Sequence, residues 1–201
     1  GDTIGPGGLF KGLRTIPVFL EILKDCERLC PEALVLNYTN PMSMMCTAAG
    51  RSSSMRVVGL CHSVQGTSAH LAQWAGVPIR EMAWDCAGIN HMAWFTRLEH
   101  NGKDLYPRLK KQFAADLRKA MKELESGEVP EEWLYTNSDD DKSRELPEHH
   151  RELVRKHMCL EFGAFITESS GHLSEYLPYY RKSEEGRKYL RCNRSEEHTS
   201  E

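Results

Sequence analysis

The chain has 201 residues, and its 26 lysines and arginines against 29 aspartates and glutamates leave a formal net charge of −3. That balance excludes the basic footprint of a nucleic-acid binder and the polybasic patch of a membrane-surface protein. No apolar run reaches the roughly 18 residues of a membrane span, and the length suits one large domain or two small ones.

The seven cysteines, Cys26, Cys30, Cys46, Cys61, Cys86, Cys159 and Cys192, are odd in number and form no CxxC pair. Reduced thiols are therefore expected rather than a disulfide framework. The opening residues show neither a basic n-region nor an apolar h-region, so a cytoplasmic location is expected.

In chain order, GDTIGPGG (residues 1–8) reads as a glycine-rich turn. It matches neither a Walker loop nor a dinucleotide fingerprint, and signals a tight backbone that a ligand could approach closely. From Thr15, the spacing of Ile16, Phe19, Ile22, Leu23, Cys26 and Leu29 predicts an amphipathic helix, with Pro17 in its first turn. ALVLNYTNP predicts a buried strand ending at Asn40-Pro41, and MSMMCTAAG a helix ending near Gly50. RVVGL predicts a second strand and SVQGTSAHLAQWAG a helix closed by Gly76. Strands alternating with helices indicate an α/β fold with a parallel sheet, whose ligand crevice lies beyond the carboxyl ends of the strands. Asn40 and the Cys61-His62 pair both fall at such ends.

After Pro78 the pattern changes. Residues 81–106 alternate and turn on Asn101-Gly102, which predicts antiparallel strands and a hairpin. A charged amphipathic helix is expected over residues 107–126, then an acidic exposed loop containing Asp139, Asp140 and Asp141, then a helix near 148–160. The Asp run lacks the glycine and the closing glutamate of a calcium loop. The polar turn TESSGH leads into a short amphipathic stretch, with Ser170 or Ser174 as the expected helix cap. The end of a doubly wound domain up to about residue 60 and an α+β domain after it account for this order. RSEEHTSE, residues 194–201, reads as the translation of a sequencing adapter and is set outside the fold.

Three places could carry chemistry. Cys61 offers a soft ligand and His91 an imidazole; together they would hold a divalent metal with positions left open, although a histidine in an apolar stretch also packs as an ordinary core residue. His62 could act as an acid or base near neutral pH. Glu168, His172 and Tyr176 lie in a polar decapeptide that either grasps a hydroxyl-rich ligand or simply starts a helix.

The motifs GDTIGPGGLFKGLRTIPV, LNYTNPM, GLCHSVQGT, CAGINHMAWF and TESSGHLSEYLPYY occur in this order and span residues 1 to about 193. Together they resemble glycoside hydrolase family 4, most closely its melibiase-type α-galactosidases and α-galacturonidases, a recorded exception to two-carboxylate glycoside hydrolysis. The resemblance implies the C-terminal part of a Rossmann-like doubly wound domain over residues 1–60. Residues 61–193 would then form a substrate- and metal-binding α+β domain of the lactate/malate dehydrogenase C-terminal type. It implies NAD and a divalent metal, usually manganese, as cofactors, with Cys61 and His91 as metal ligands. Gly5, Gly7 and Gly8 would lie in the loop that nears the nicotinamide. Asn40, and after it Asn90 and His172, would contact substrate hydroxyls. The implied reaction is an oxidation at C3 of the sugar, loss of the C2 proton to a base and departure of the glycosidic oxygen from C1. Water then adds, and the hydride returns to C3. His62 takes the place of a proposed acid, while Glu168 or Tyr176 would be the C2 base. A glycoside is the expected partner, with no nucleic acid or membrane, in a homo-oligomer. The chain starts after the family's dinucleotide fingerprint and stops within its second domain, so inactivity of the isolated chain is expected. Two rival readings are a lactate/malate dehydrogenase-like oxidoreductase, which would not need the Cys61 thiolate, and a sugar- or NAD-binding protein without turnover.

Overall fold

The computed structural model describes residues 5–130, 133 and 145–182. The chain divides into two compact units, residues 1–62 and 63–201. The Asp139–Asp141 run, Cys192 and residues 194–201 lie outside the described residues. Among the described residues no helix is long and apolar enough to cross a membrane.

The first unit consists of α1 (Gly5–Leu29), β1 (Leu34–Asn37), α2 (Met42–Ser52) and β2 (Arg56–Gly59). The strands pair in parallel, from Leu34 opposite Arg56 to Asn37 opposite Gly59. Phe19, Leu23, Met45, Ala49 and Met55 form the core of this unit. Two expectations are corrected here. α1 begins ten residues before Thr15, so the glycine-rich segment from Gly5 onward is helical and Pro17 sits inside the helix. The reason is close packing: Gly8 and Gly12 are buried one turn apart, and a Cβ on Gly12 would come within 3.0 Å of the Met44 sulfur. Close approach of α2 offsets the ~1 kcal/mol that each glycine costs a helix. β1 also ends at Asn37, not Asn40. There the Asn37 side chain, itself buried, accepts from the Thr39 amide at 3.1 Å and donates to the Thr39 carbonyl, turning the chain out of the sheet.

The second unit runs α3 (Ser63–Ala75), β3 (Met82–Ile89), β4 (Met92–His100), β5 (Lys103–Asp104), α4 (Tyr106–Ser126), α5 (Leu153–Phe162), β6 (Phe165–Ile166) and α6 (Ser170–Tyr176). β3, β4 and β5 form an antiparallel meander, and β6 pairs with β4. Asn101-Gly102 does make a turn, both residues at positive φ as a two-residue hairpin needs, but it joins only β4 to the short β5. The long hairpin turns instead at Asn90-His91. α4 follows its apolar spacing: Tyr106, Leu109, Phe113, Leu117, Ala120 and Leu124 are buried along one stripe, and Gly127 closes it in the left-handed conformation. The helix expected from residue 148 begins instead at Leu153, after a 3-10 turn over Glu148–His150. The α6 cap is Ser169, not the expected Ser170 or Ser174.

Leu71, Ala75, Phe95, Leu98, Leu109, Phe113, Cys159 and Phe165 pack into the main core of this unit. Burial pushes the Cys159 thiol up to about 12, which marks it as an inert packing residue. Lys156 is fully buried yet ionically satisfied: its ammonium reaches Asp116 at 2.8 Å and the Glu148 carbonyl at 2.8 Å, and lies over the Trp74 ring. It thereby ties α4, the 3-10 turn and α5 together.

Candidate functional site

The hairpin between β3 and β4 presents Asn90 and His91 at its tip. His91 is nearly buried and held at φ 62, a region that non-glycine residues rarely occupy. Its Nε2 lies 3.1 Å from Glu168 Oε2, and its Nδ1 lies 3.2 Å from the Tyr176 hydroxyl. The His172 ring stands 6.1 Å from that of His91, and its Nδ1 is 3.2 Å from Ser169 Oγ. Four residues singled out from the sequence, His91, Glu168, His172 and Tyr176, thus stand in one place. They come from the hairpin tip, the loop after β6 and helix α6. Asn90 lies beside His91 in the same turn.

Glu168 also has a left-handed backbone, at φ 76, and so does Glu152 at φ 52. Such residues cost about 1–3 kcal/mol each and persist where the surroundings over-determine them. The surroundings here are explicit. Arg155, 3% exposed, donates twice to the Ile166 carbonyl, from Nε at 3.2 Å and from a terminal nitrogen at 3.1 Å. It also donates to Thr67 Oγ1 at 2.6 Å and lies over the Phe165 ring. Glu152 pairs with Arg155 at 3.4 Å and accepts from the amide and the hydroxyl of Ser170. The loop carrying Glu168 is therefore gripped at Ile166 on one side and at Ser170 on the other. Thr167 completes the hold: its amide donates to the Ala93 carbonyl at 2.8 Å, and its hydroxyl accepts from the Ala93 amide. Those bonds join the Glu168 loop to β4 at Ala93, two residues after His91.

Arg155, Glu152 and Thr167 were not visible as site residues in the sequence. RELVRKH reads as the charged face of a surface helix, because buried charges are rare. Gly88 carried a signal that could have been used. A glycine inside a strand marks close backbone approach, and here a Cβ would fall 2.6 Å from both the Ala93 Cα and the Met92 carbonyl oxygen.

The remaining candidates lie in the first unit. Cys61 follows the end of β2 by two residues and is half-buried. His62 is exposed, with its ring 5.4 Å from that of Tyr38. Asn40 is half-buried in the turn between β1 and α2. Gly5, Gly7 and Gly8 occupy the first turn of α1. Chemically, His91 offers an imidazole nitrogen that suits a divalent ion such as manganese, and the Glu168 carboxylate 3.1 Å away is a neighbouring proton acceptor. A hydrogen bond from Nδ1–H to the Tyr176 oxygen would leave His91 Nε2 as the donor atom, and would fix the ring as outer partners of metal-bound histidines do.

Residues 1–77 match the family 4 glycosyl hydrolase model, and residues 86–201 match that family's C-terminal domain. The α-galactosidase of Bacillus subtilis (strain 168) is 38% identical over 181 residues, covering 90% of this chain and 35% of that protein. The α-galacturonidase of the same organism is 34% identical over 187 residues, covering 89% of this chain and 38% of that protein. The chain thus spans about a third of the length of the curated relatives it matches. Among solved structures, a 6-phospho-α-glucosidase from gut microorganisms, in complex with NAD and Mn2+, superposes with a TM-score of 0.62 at 23% identity. It covers 89% of this chain and 38% of that one, and shares the mixed α/β fold. On the family match across both units, the chain belongs to glycoside hydrolase family 4.

Proposed function

We propose that the gene product containing this chain cleaves the O-glycosidic bond of α-galactosides, with α-galacturonides as the alternative substrate, by an NAD- and manganese-dependent elimination and addition. The observation that carries this reading is the nearly buried His91–Glu168 pair, two left-handed residues clamped from both sides. A general structural role does not call for backbone strain at both members of a polar pair. The two relatives named above support the sugar.

In this reading residues 1–60 are the end of a Rossmann-like domain, and residues 61–193 are a substrate domain of the lactate/malate dehydrogenase C-terminal type. The parallel β1–β2 pair with its helices and the antiparallel sheet of the second unit support that division. Gly5, Gly7 and Gly8 in the first turn of α1 suit a close approach to the nicotinamide of NAD, because glycine leaves the backbone uncovered. Cys61 and His91 hold the metal. When bound, NAD supplies reversible oxidation at C3 of the sugar, and manganese a Lewis acid for the oxygens at C2 and C3.

The residues of the chain do the rest. With C3 a ketone, the C2 proton is acidic, and Glu168 would be the base that removes it. Tyr176, the other candidate for that role, supports the His91 ring through its hydroxyl. His62 donates a proton to the leaving oxygen at C1. Asn40, Asn90 and His172 bind and orient sugar hydroxyls. The enzyme works in the cytoplasm as a homo-oligomer, a reading that family resemblance supports.

The test is cleavage of matched p-nitrophenyl α-galactoside and α-galacturonide by the active gene product, with NAD and Mn2+ added singly and together. Cleavage only with both is expected, with the galactoside preferred. Cleavage indifferent to both would overturn the proposal.

A further inference from the structure

A second group of metal-ligating side chains lies elsewhere in the second unit. Glu123, on the last turn of α4, and the adjacent His149 and His150, in the 3-10 turn before α5, place one ligand atom each within 4.8 Å of one another. A single oxygen, Glu123 Oε2, meets His149 Nε2 at 2.8 Å and His150 Nε2 at 2.7 Å. The two rings lie 4.6 Å apart, and Trp133 stacks edge-on against His150. His150 is completely buried, while Glu123 stays about a quarter exposed. The rings are set by rigid neighbours. The His150 amide closes the turn onto the Pro147 carbonyl, and buried Lys156 holds the Glu148 carbonyl. Arg151 and Trp74 both donate to the Glu148 carboxylate.

We propose that Glu123, His149 and His150 form a zinc site, separate from the manganese site of the proposed reaction. Two imidazoles and one carboxylate are a donor set typical of zinc, which binds a given nitrogen and oxygen site more tightly than manganese does. Ligands about 2.1 Å from a tetrahedral zinc ion stand roughly 3.4 Å apart, so the site must open by about 0.7 Å from its present N···O spacing. Glu123 can supply that by rotating its side chain, while the imidazoles stay where the turn holds them. The ion would staple the end of α4 to the turn that leads into α5.

The experiment titrates the metal-stripped chain with Zn2+ and with Mn2+ in competition with a chromophoric chelator. A Cys61→Ser/His91→Ala background silences the other proposed metal site, so failure of that site's reading leaves this result interpretable. One zinc ion per chain is expected, bound far more tightly than manganese. His149→Ala and Glu123→Gln should each weaken zinc binding roughly 100-fold. Glu123→Gln retains an oxygen for both imidazoles, so its fold should persist, as circular dichroism would verify. Cobalt substitution gives a second readout: intense tetrahedral visible bands that zinc abolishes. Zinc binding that is no tighter than manganese binding, or that is unchanged in both variants, would overturn the proposal.

Discussion

His91→Ala is expected to lower kcat/KM of the active gene product by at least about 100-fold while leaving the fold intact. The magnitude follows from the position of the ring. Even the outer hydrogen-bond partners of metal-bound histidines are worth about 10–100-fold, and in the proposed reaction His91 is the ligand itself. Tyr176→Phe supplies the graded comparison, because it removes only the hydroxyl that meets His91 Nδ1. It should cost roughly 10–100-fold, most of it recoverable by raising the manganese concentration, since a loosened ring binds metal less well. His91→Ala should not be rescued in this way. Steady-state rates across a manganese titration separate the two. Equal, metal-independent losses in both variants would mean that His91 acts by packing alone.

Gly88→Ala is expected to be the most damaging methyl addition on the β3–β4 hairpin. The glycine sits at φ 140, and the new Cβ would lie 2.6 Å from two backbone atoms of the facing strand, neither of which can rotate away. Overpacking and backbone strain each cost about 1–3 kcal/mol, so a loss of about 3 kcal/mol or more is expected in urea unfolding. Activity should fall with it, because the strand pair must part just where it positions Asn90 and His91. Gly102→Ala is the control. That glycine also has positive φ, but nothing lies within 4 Å of its added Cβ. It should cost about 1 kcal/mol and leave activity unchanged. A Gly88→Ala protein as stable as the Gly102→Ala one would contradict the packing described here.

Much of this architecture is written in local pattern. α4 was legible because its apolar residues recur at three and four and a glycine follows. The parallel β1–β2 pair was legible from two short apolar runs separated by a helix. The start of α1 was not, because glycine reads as a breaker until the neighbouring helix that exploits its small size is known. The turn at Asn90-His91 was hidden for a similar reason: alternation of apolar residues runs straight through it, and neither residue is a glycine or a proline. For the site, residue type took the reading as far as the polar cluster around Glu168. That the cluster faces His91 depends on β6 pairing with β4, a contact between segments some 70 residues apart that no spacing rule contains. Arg155 and Glu152 stayed hidden because a helix with alternating charges looks solvated from its sequence. Only the tertiary structure shows Arg155 buried against the Ile166 carbonyl and Glu152 bonded to Ser170.

The central claim is that the sugar loses its C2 proton during cleavage, and hydrolysis in D2O tests it most directly. The gene product, given NAD, manganese and an α-galactoside, should release a sugar carrying one deuterium at C2, seen by mass spectrometry and proton NMR. A direct displacement at C1 never breaks the C2–H bond. Product released at full rate with no deuterium at C2 would contradict the account.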